Sequence, residues 1–282
     1  MTDPQTLRNE RLANWGQTPA TSTPDLDSAT ALIARLGLVT LYPVSPELPN
    51  LLHAYTGDPT TQAASDWDSA SGHVYTWRWE LGRREAGFYT AIVRGRPTFV
   101  AWPLLPAILR LRGDLRDPEE LYDLGQLSNA AYRIAVALTE AGGVLDTGTL
   151  RRAAGFPTGK EQRAVYLKAV AELDAKLLLA KVFSPDDQDM RHILVQTRYP
   201  EHVAAAEQLT RDAALDQFLT TSPTPSTPPP PPSPATSALL PNSAPPSTAS
   251  SPKIRRTPHN YREKKSPGLS GAMIVGSSSP LV

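Results

Sequence analysis

Three groups of side chains in this 282-residue sequence have the types and spacing to do chemistry. Lys160, Glu161, Ala164 and Lys168 recur at helical intervals, with Arg163 on the flank and Gln162 near the start, so one outward helix face is rich in groups that suit phosphates and purine edges. Arg151 and Arg152 lie just ahead of it. The second group is a run of arginines, Arg78, Arg83, Arg84, Arg94, Arg96, Arg110, Arg112 and Arg116, set against only Glu80, Glu85 and Asp114. Tyr75, Trp77, Trp79, Phe88, Tyr89, Phe99 and Trp102 are interleaved with it. Arginine pairs with phosphate and stacks on bases, and aromatic rings stack on or wedge into an opened duplex. The plainer alternative makes the aromatics the dry side of a sheet and the arginines its wet side. The third group is Lys253, Arg255, Arg256, Arg262, Lys264 and Lys265, opposed by Glu263 alone, which would add a salt-sensitive, sequence-independent attraction to a polyanion.

Other chemistries are poorly supplied. The chain has no cysteine, which excludes a disulfide framework, thiolate zinc sites, iron–sulfur clusters and thiol catalysis. The histidines at 53, 73, 192, 202 and 259 lack metal-ligand spacing, and no metal or cofactor is expected. Gly155 to Glu161 resembles a phosphate-binding loop only superficially. It has three residues between its glycines where four are needed, and Glu161 stands where Ser or Thr would hold magnesium. The first residues contain no apolar run and no window approaches 18 consecutive apolar residues, so the expectation is a soluble, cytoplasmic protein without a membrane partner.

These groups must be held by elements that the pattern partly fixes. Residues 1–27 are polar and read as a flexible lead-in. Ala29, Leu32, Ile33 and Leu36 have helical spacing ended by Gly37, and Leu38 to Pro43 then reads as extended chain. A short helix is expected within 46–55. Val74 to Trp79 is aromatic and β-branched, and Phe88 to Val93 and Thr98 to Trp102 flank Arg94-Gly95-Arg96-Pro97 as a hairpin. Pro103 to Arg112 reads as a helix with Arg110 and Arg112 off its apolar face. From Asp117, an Asp N-cap position followed by proline, the order is helix, helix (127–141), short helix (146–155), longer helix (159–179), then β-type runs 178–183 and 191–197 around a Ser-Pro-Asp-Asp turn. That is the order of a winged helix-turn-helix, whose third helix would enter the major groove. Asp186, Asp187 and Asp189 at the tip of its hairpin would repel phosphate, which favours a protein-contact alternative.

The expected class is therefore α+β: a smaller α/β module with a hairpin over 28–116, a winged-helix module over 117–205, and a helix over 206–220. Residues 221–282 follow as a disordered Pro-, Ser- and Thr-rich tail with the basic cluster at 253–265. More than half of the 29 prolines fall in that last segment, a composition unable to offset the entropy of ordering.

Tyr75-Thr76-Trp77-Arg78-Trp79, the segment Phe88 to Val100, the helix from Pro103 and the region ending near Tyr199-Pro200 together resemble the AlkZ/YcaQ group of winged-helix DNA glycosylases, and more closely its shorter AlkZ-related members. The resemblance spans about residues 28–205. It implies winged-helix modules that bind duplex DNA and, in active members, removal of alkylated or crosslinked bases through a Gln-x-Gln or Gln-x-Asp motif. At the corresponding place this chain has Thr40-Leu41-Tyr42. Thr40 replaces the family glutamine, and Tyr42 and Glu47 are the weak catalytic candidates left. A glycosylase must orient water and stabilise a sugar cation, tasks for an amide with a carboxylate or second amide. The reading thus leans away from an enzyme, toward a catalytically diverged DNA-binding protein of DNA repair or genome maintenance, nucleoid-associated, with double-stranded DNA as partner. Its contacts are expected at Lys160, Arg163, Lys168, Arg151, Arg152, Arg94 and Arg96, and at Lys253, Arg255, Arg256, Lys264 and Lys265 of the tail. Two alternatives are an active DNA glycosylase with an altered site, and an adaptor whose winged helix and Pro-rich tail recruit repair proteins.

Overall fold

In the computed structural model, which describes residues 3–185 and 190–221, the polar lead-in already contains a helix. This is α1 (Pro4–Asn14), started by Asp3 accepting the Thr6 N–H and by proline at the first position, and followed by buried Trp15. The expectation of a lead-in without elements over 1–27 is corrected accordingly.

The next stretch runs α2 (Leu26–Leu36), β1 (Leu38–Thr40), α3 (Leu51–Thr56), α4 (Ala70–Arg83), β2 (Phe88–Val93) and β3 (Arg96–Val100). Ala29, Leu32, Ile33 and Leu36 are the buried face of α2, as their spacing requires. The β-branched and aromatic run 74–79 is helical, so Tyr75, Trp77 and Trp79 are not on a sheet as the plainer alternative has them. Ser69 caps α4, and Val74, Trp77 and Leu81 fall at helical intervals on its buried side, so packing overrides β-propensity. The hairpin is as expected, turning through Arg94 and Gly95, both with positive φ, between the paired residues Val93 and Arg96.

A 3-10 turn (Trp102–Leu104), α5 (Leu105–Arg112) and α6 (Pro118–Asp123) lead into a second stretch. Asp117 stands at the start of α6 with its carboxylate accepting Gln196 Nε2 at 2.9 Å. There follow α7 (Asn129–Ala141), β4 (Leu145–Asp146), α8 (Thr147–Ala153), α9 (Lys160–Ala175), β5 (Leu179–Phe183) and β6 (Met190–Leu194). The chain then continues as α10 (Val195–Arg198), α11 (Pro200–Gln208) and α12 (Arg211–Thr221). The helix expected over 206–220 corresponds to α12, and α11 precedes it.

The two stretches have the same order of elements: helix, strand, helix, helix, hairpin. Their sheets also share an order, β1-β3-β2 and β4-β6-β5, each with its first strand antiparallel to the last strand of the hairpin. The protein is thus mixed helix and sheet, with two small antiparallel sheets among the described residues, and this internal repeat was not seen in the sequence.

The two units are joined through packed residues. Phe183 of β5 meets Trp79 of α4 and Tyr89 of β2 edge-on, at ring distances of 5.6 and 5.3 Å. A Cβ on Gly82 would lie 2.2 Å from the Phe183 ring, so only glycine admits this approach. Arg83 Nε donates to the Ser184 carbonyl at 2.8 Å. A further apolar cluster crosses the boundary at 116/117, with Phe88, Val100 and Leu105 packed with Leu177, Ala180 and Ile193, and Ala206 and Ala214 of α11 and α12 belong to it.

Candidate functional site

The long helix of the second unit presents its cationic groups outward. Lys160, Glu161, Gln162, Arg163, Ala164 and Lys168 of α9 are all exposed, whereas Tyr166, Ala169 and Leu173 turn into the core. Val165 and Leu167 are also exposed, at 45% and 52%. The loop that delivers this face is held by two other arginines. Arg133 Nη2 donates to the carbonyls of Ala154 and Gly155 at 2.5 and 2.6 Å, with its guanidinium 4.6 Å from the Phe156 ring centre. Arg151 Nη2 donates to those of Pro157 and Gly159 at 2.7 and 3.2 Å. Arg151, one of the residues expected to contact DNA, thus uses its Nη2 on the loop that leads into α9. Arg152 is exposed and reaches Thr149 Oγ1 at 3.2 Å.

The arginine run divides by partner. Arg83, Arg84 and Arg116 pair with Glu80, Asp27 and Asp114. Arg78 lies against the rings of Tyr75 and Trp79. Arg94, Arg96, Arg110 and Arg112 are exposed, with no ion-pair partner among the described residues, the first two at the hairpin turn and the others at the end of α5. The plainer reading holds only for Phe88, Tyr89 and Phe99, which are buried on the sheet; Trp77 and Trp79 are buried on the helix α4 instead, and Tyr75 and Trp102 are part-exposed.

Around Thr40 the polar groups are occupied. Thr40 is fully buried, and its hydroxyl is directed at the Tyr42 and Pro49 carbonyls at 2.8 and 3.2 Å. Tyr42 donates to the Ser71 carbonyl at 3.0 Å, and burial pushes its phenol up to about 12 although nearby Arg78 opposes the rise, so it stays protonated at neutral pH. Glu47 is exposed and ion-paired with Arg11 of α1 at 2.5 Å. The structure brings no carboxylate to the Thr40–Tyr42 pair through these contacts; the nearby charge is the Arg78 guanidinium, of the wrong sign to stabilise a sugar cation.

A cavity of about 60 Å³ at the junction of the units is lined by Arg83, Glu85, Tyr89, Trp102, Lys181 and Arg198, among others. It is far smaller than a nucleobase pocket. Its cations already have carboxylates, with Lys181 on Asp174 at 2.6 Å and Arg198 on Glu85 at 2.9 Å.

A family model described as AlkZ related matches residues 23–216, which takes in both repeated units. The chain belongs to the AlkZ-related family. No curated protein and no solved structure matches it. AlkZ-related membership carries a relationship to DNA-repair glycosylases, and it agrees with the resemblance carried by the motifs between Tyr75 and Pro200. Among the described residues no helix is long and apolar enough to cross a membrane.

Sequence reasoning missed several groups in this AlkZ-related chain. Arg133 gave no signal, since a lone arginine on a helix does not reveal that it faces a loop carbonyl. The buried Asp174–Lys181 pair was equally hidden, although a lysine in the middle of an apolar strand run was a cue. Lys253, Arg255, Arg256, Lys264 and Lys265 lie outside the described residues, as do Asp186, Asp187 and Asp189 of the hairpin tip.

Proposed function

We propose that this protein is a catalytically diverged DNA-binding member of the AlkZ-related family, built from two winged helices and acting in DNA repair or genome maintenance. The observation that carries this reading is the α9 surface. Lys160, Arg163 and Lys168 stand exposed on the third helix of a helix-helix-helix-hairpin unit, the position from which a winged helix reads the major groove. Arg152 and the hairpin-turn residues Arg94 and Arg96 supply further phosphate contacts, and the basic tail cluster adds affinity through its tethering.

Loss of glycosylase chemistry is supported by the Thr40–Tyr42 geometry. Both hydroxyls are directed at backbone carbonyls, and Glu47 is spent on Arg11. Val165 and Leu167 favour a second reading, in which α9 docks a protein.

The test is binding of the purified full-length chain to undamaged and alkylated duplex across a salt series, followed by alkali treatment to reveal abasic sites. The expected result is salt-dependent binding without strand breaks. Breaks above the no-protein control would restore an enzyme, and absence of binding to either duplex would leave the protein-docking reading.

A further inference from the structure

Among the described residues no large apolar side chain is more exposed than Trp67, at 68%. Its position is built. The Trp67 backbone lies on the first turn of α4, where a Cβ on Gly72 would come within 2.1 Å of the Trp67 carbonyl oxygen. Ser69, which caps α4, donates its hydroxyl to the Asp66 carbonyl at 2.5 Å, and the Asp68 N–H goes to Asp66 Oδ1 at 3.1 Å. Ala64 N–H is fixed to Ser71 Oγ at 2.9 Å. The backbone is thus pinned on both sides of Trp67, and the indole projects from it.

The indole meets Tyr75 edge-on at 5.1 Å. On that same tyrosine lies the Arg78 guanidinium, 3.7 Å from the ring centre, donating to the phenol oxygen at 2.5 Å. No carboxylate pairs with Arg78 among the described residues, and its Nε is buried without a partner. An exposed, pre-positioned indole loses little freedom on contact and can stack on a flat, polarisable ring, while a stacked arginine beside it can take the attached phosphate. Asp66 and Asp68 flank Trp67 and oppose a track of phosphates laid across it, so the contact left to the indole is with a ring and not with a backbone.

We propose that Trp67, backed by Tyr75 and Arg78, is a stacking site for one unpaired nucleobase of DNA. The inference rests on the DNA-binding reading and extends it to a substrate class. The test uses the full chain with Trp67→Ala and Trp67→Phe and two probes of one sequence, a fully paired duplex and the same duplex with one bulged adenine. The wild type is expected to prefer the bulge. Trp67→Ala should lose roughly tenfold on the bulged probe and nothing on the paired one, and Trp67→Phe should keep most of the preference. Unchanged binding by Trp67→Ala would overturn the proposal; equal losses on both probes would overturn it too. A wild type that binds both duplexes equally refutes only this site, whereas one that binds neither refutes the DNA-binding reading itself.

Discussion

The two repeated units share one topology and use its third helix in opposite ways. In the first, α4 turns Val74, Trp77, Trp79 and Leu81 inward and, through Gly82 and Arg83, receives the β5-β6 hairpin of the second. In the second, α9 leaves its first nine residues exposed apart from Tyr166. The sheets differ as well. Where the first pairs buried Thr90 with Thr98, the second pairs Lys181 with His192, beside buried Asp174. One order of elements thus yields a scaffold and a presenting surface, and the difference lies in which face carries apolar bulk.

That contrast can be broken at its buried charges first. Burial, with Lys181 nearby, holds His192 down to about 4 from an ordinary 6.5. The unfolded chain therefore binds a proton that the folded chain refuses. Stability from this group is complete above pH 6.5 and is lost as pH falls toward 4, by about 3 kcal/mol in all. Asp174, raised by burial, works in the opposite direction, so the informative comparison is with His192→Gln. Urea unfolding from pH 7 to 4.5 should show a shallower acid loss in that variant; parallel curves would remove His192 from the account.

The junction gives the next effect. Alanine in place of glycine inside a helix ordinarily stabilises by about 1 kcal/mol. At Gly82 the new methyl meets Phe183, so Gly82→Ala should instead destabilise by roughly 2 kcal/mol in thermal or urea unfolding. A stabilised variant would mean that the hairpin is not seated on α4.

Two smaller substitutions separate positioning from contact. Arg151→Gln removes two donors to the loop before α9 and should cost about 1.5 kcal/mol of stability while leaving the salt slope of DNA binding unchanged. The double change Arg94→Gln and Arg96→Gln should do the reverse, reducing the slope by about 2 with no change in melting. If Arg151→Gln flattened the slope, that arginine would return to the list of phosphate contacts.

Much of this architecture was legible because local signals agreed with the fold. Gly37 ended α2, the Arg94-Gly95 turn set the first hairpin, and the helix-helix-hairpin order was visible beyond Asp117. The 74–79 run was misread because Tyr75, Trp77 and Trp79 alternate as strand residues do, whereas the Ser69 cap and the buried Val74, Trp77 and Leu81 decide for a helix. The cationic face of α9 was readable from spacing alone. The role of Arg151 was not, since a donor's partner is set by where a loop folds back, and the repeat stayed hidden because the two units share order and not residues.

The central claim is that the exposed face of α9 carries the duplex phosphate and groove contact, which its counterpart α4 does not. It is tested most directly by the salt dependence of duplex binding for the full chain and for the triple variant Lys160→Gln, Arg163→Gln, Lys168→Gln. The account predicts weaker binding and a log–log slope reduced by roughly 2 to 3 units with unchanged melting. An unchanged slope and affinity would contradict it.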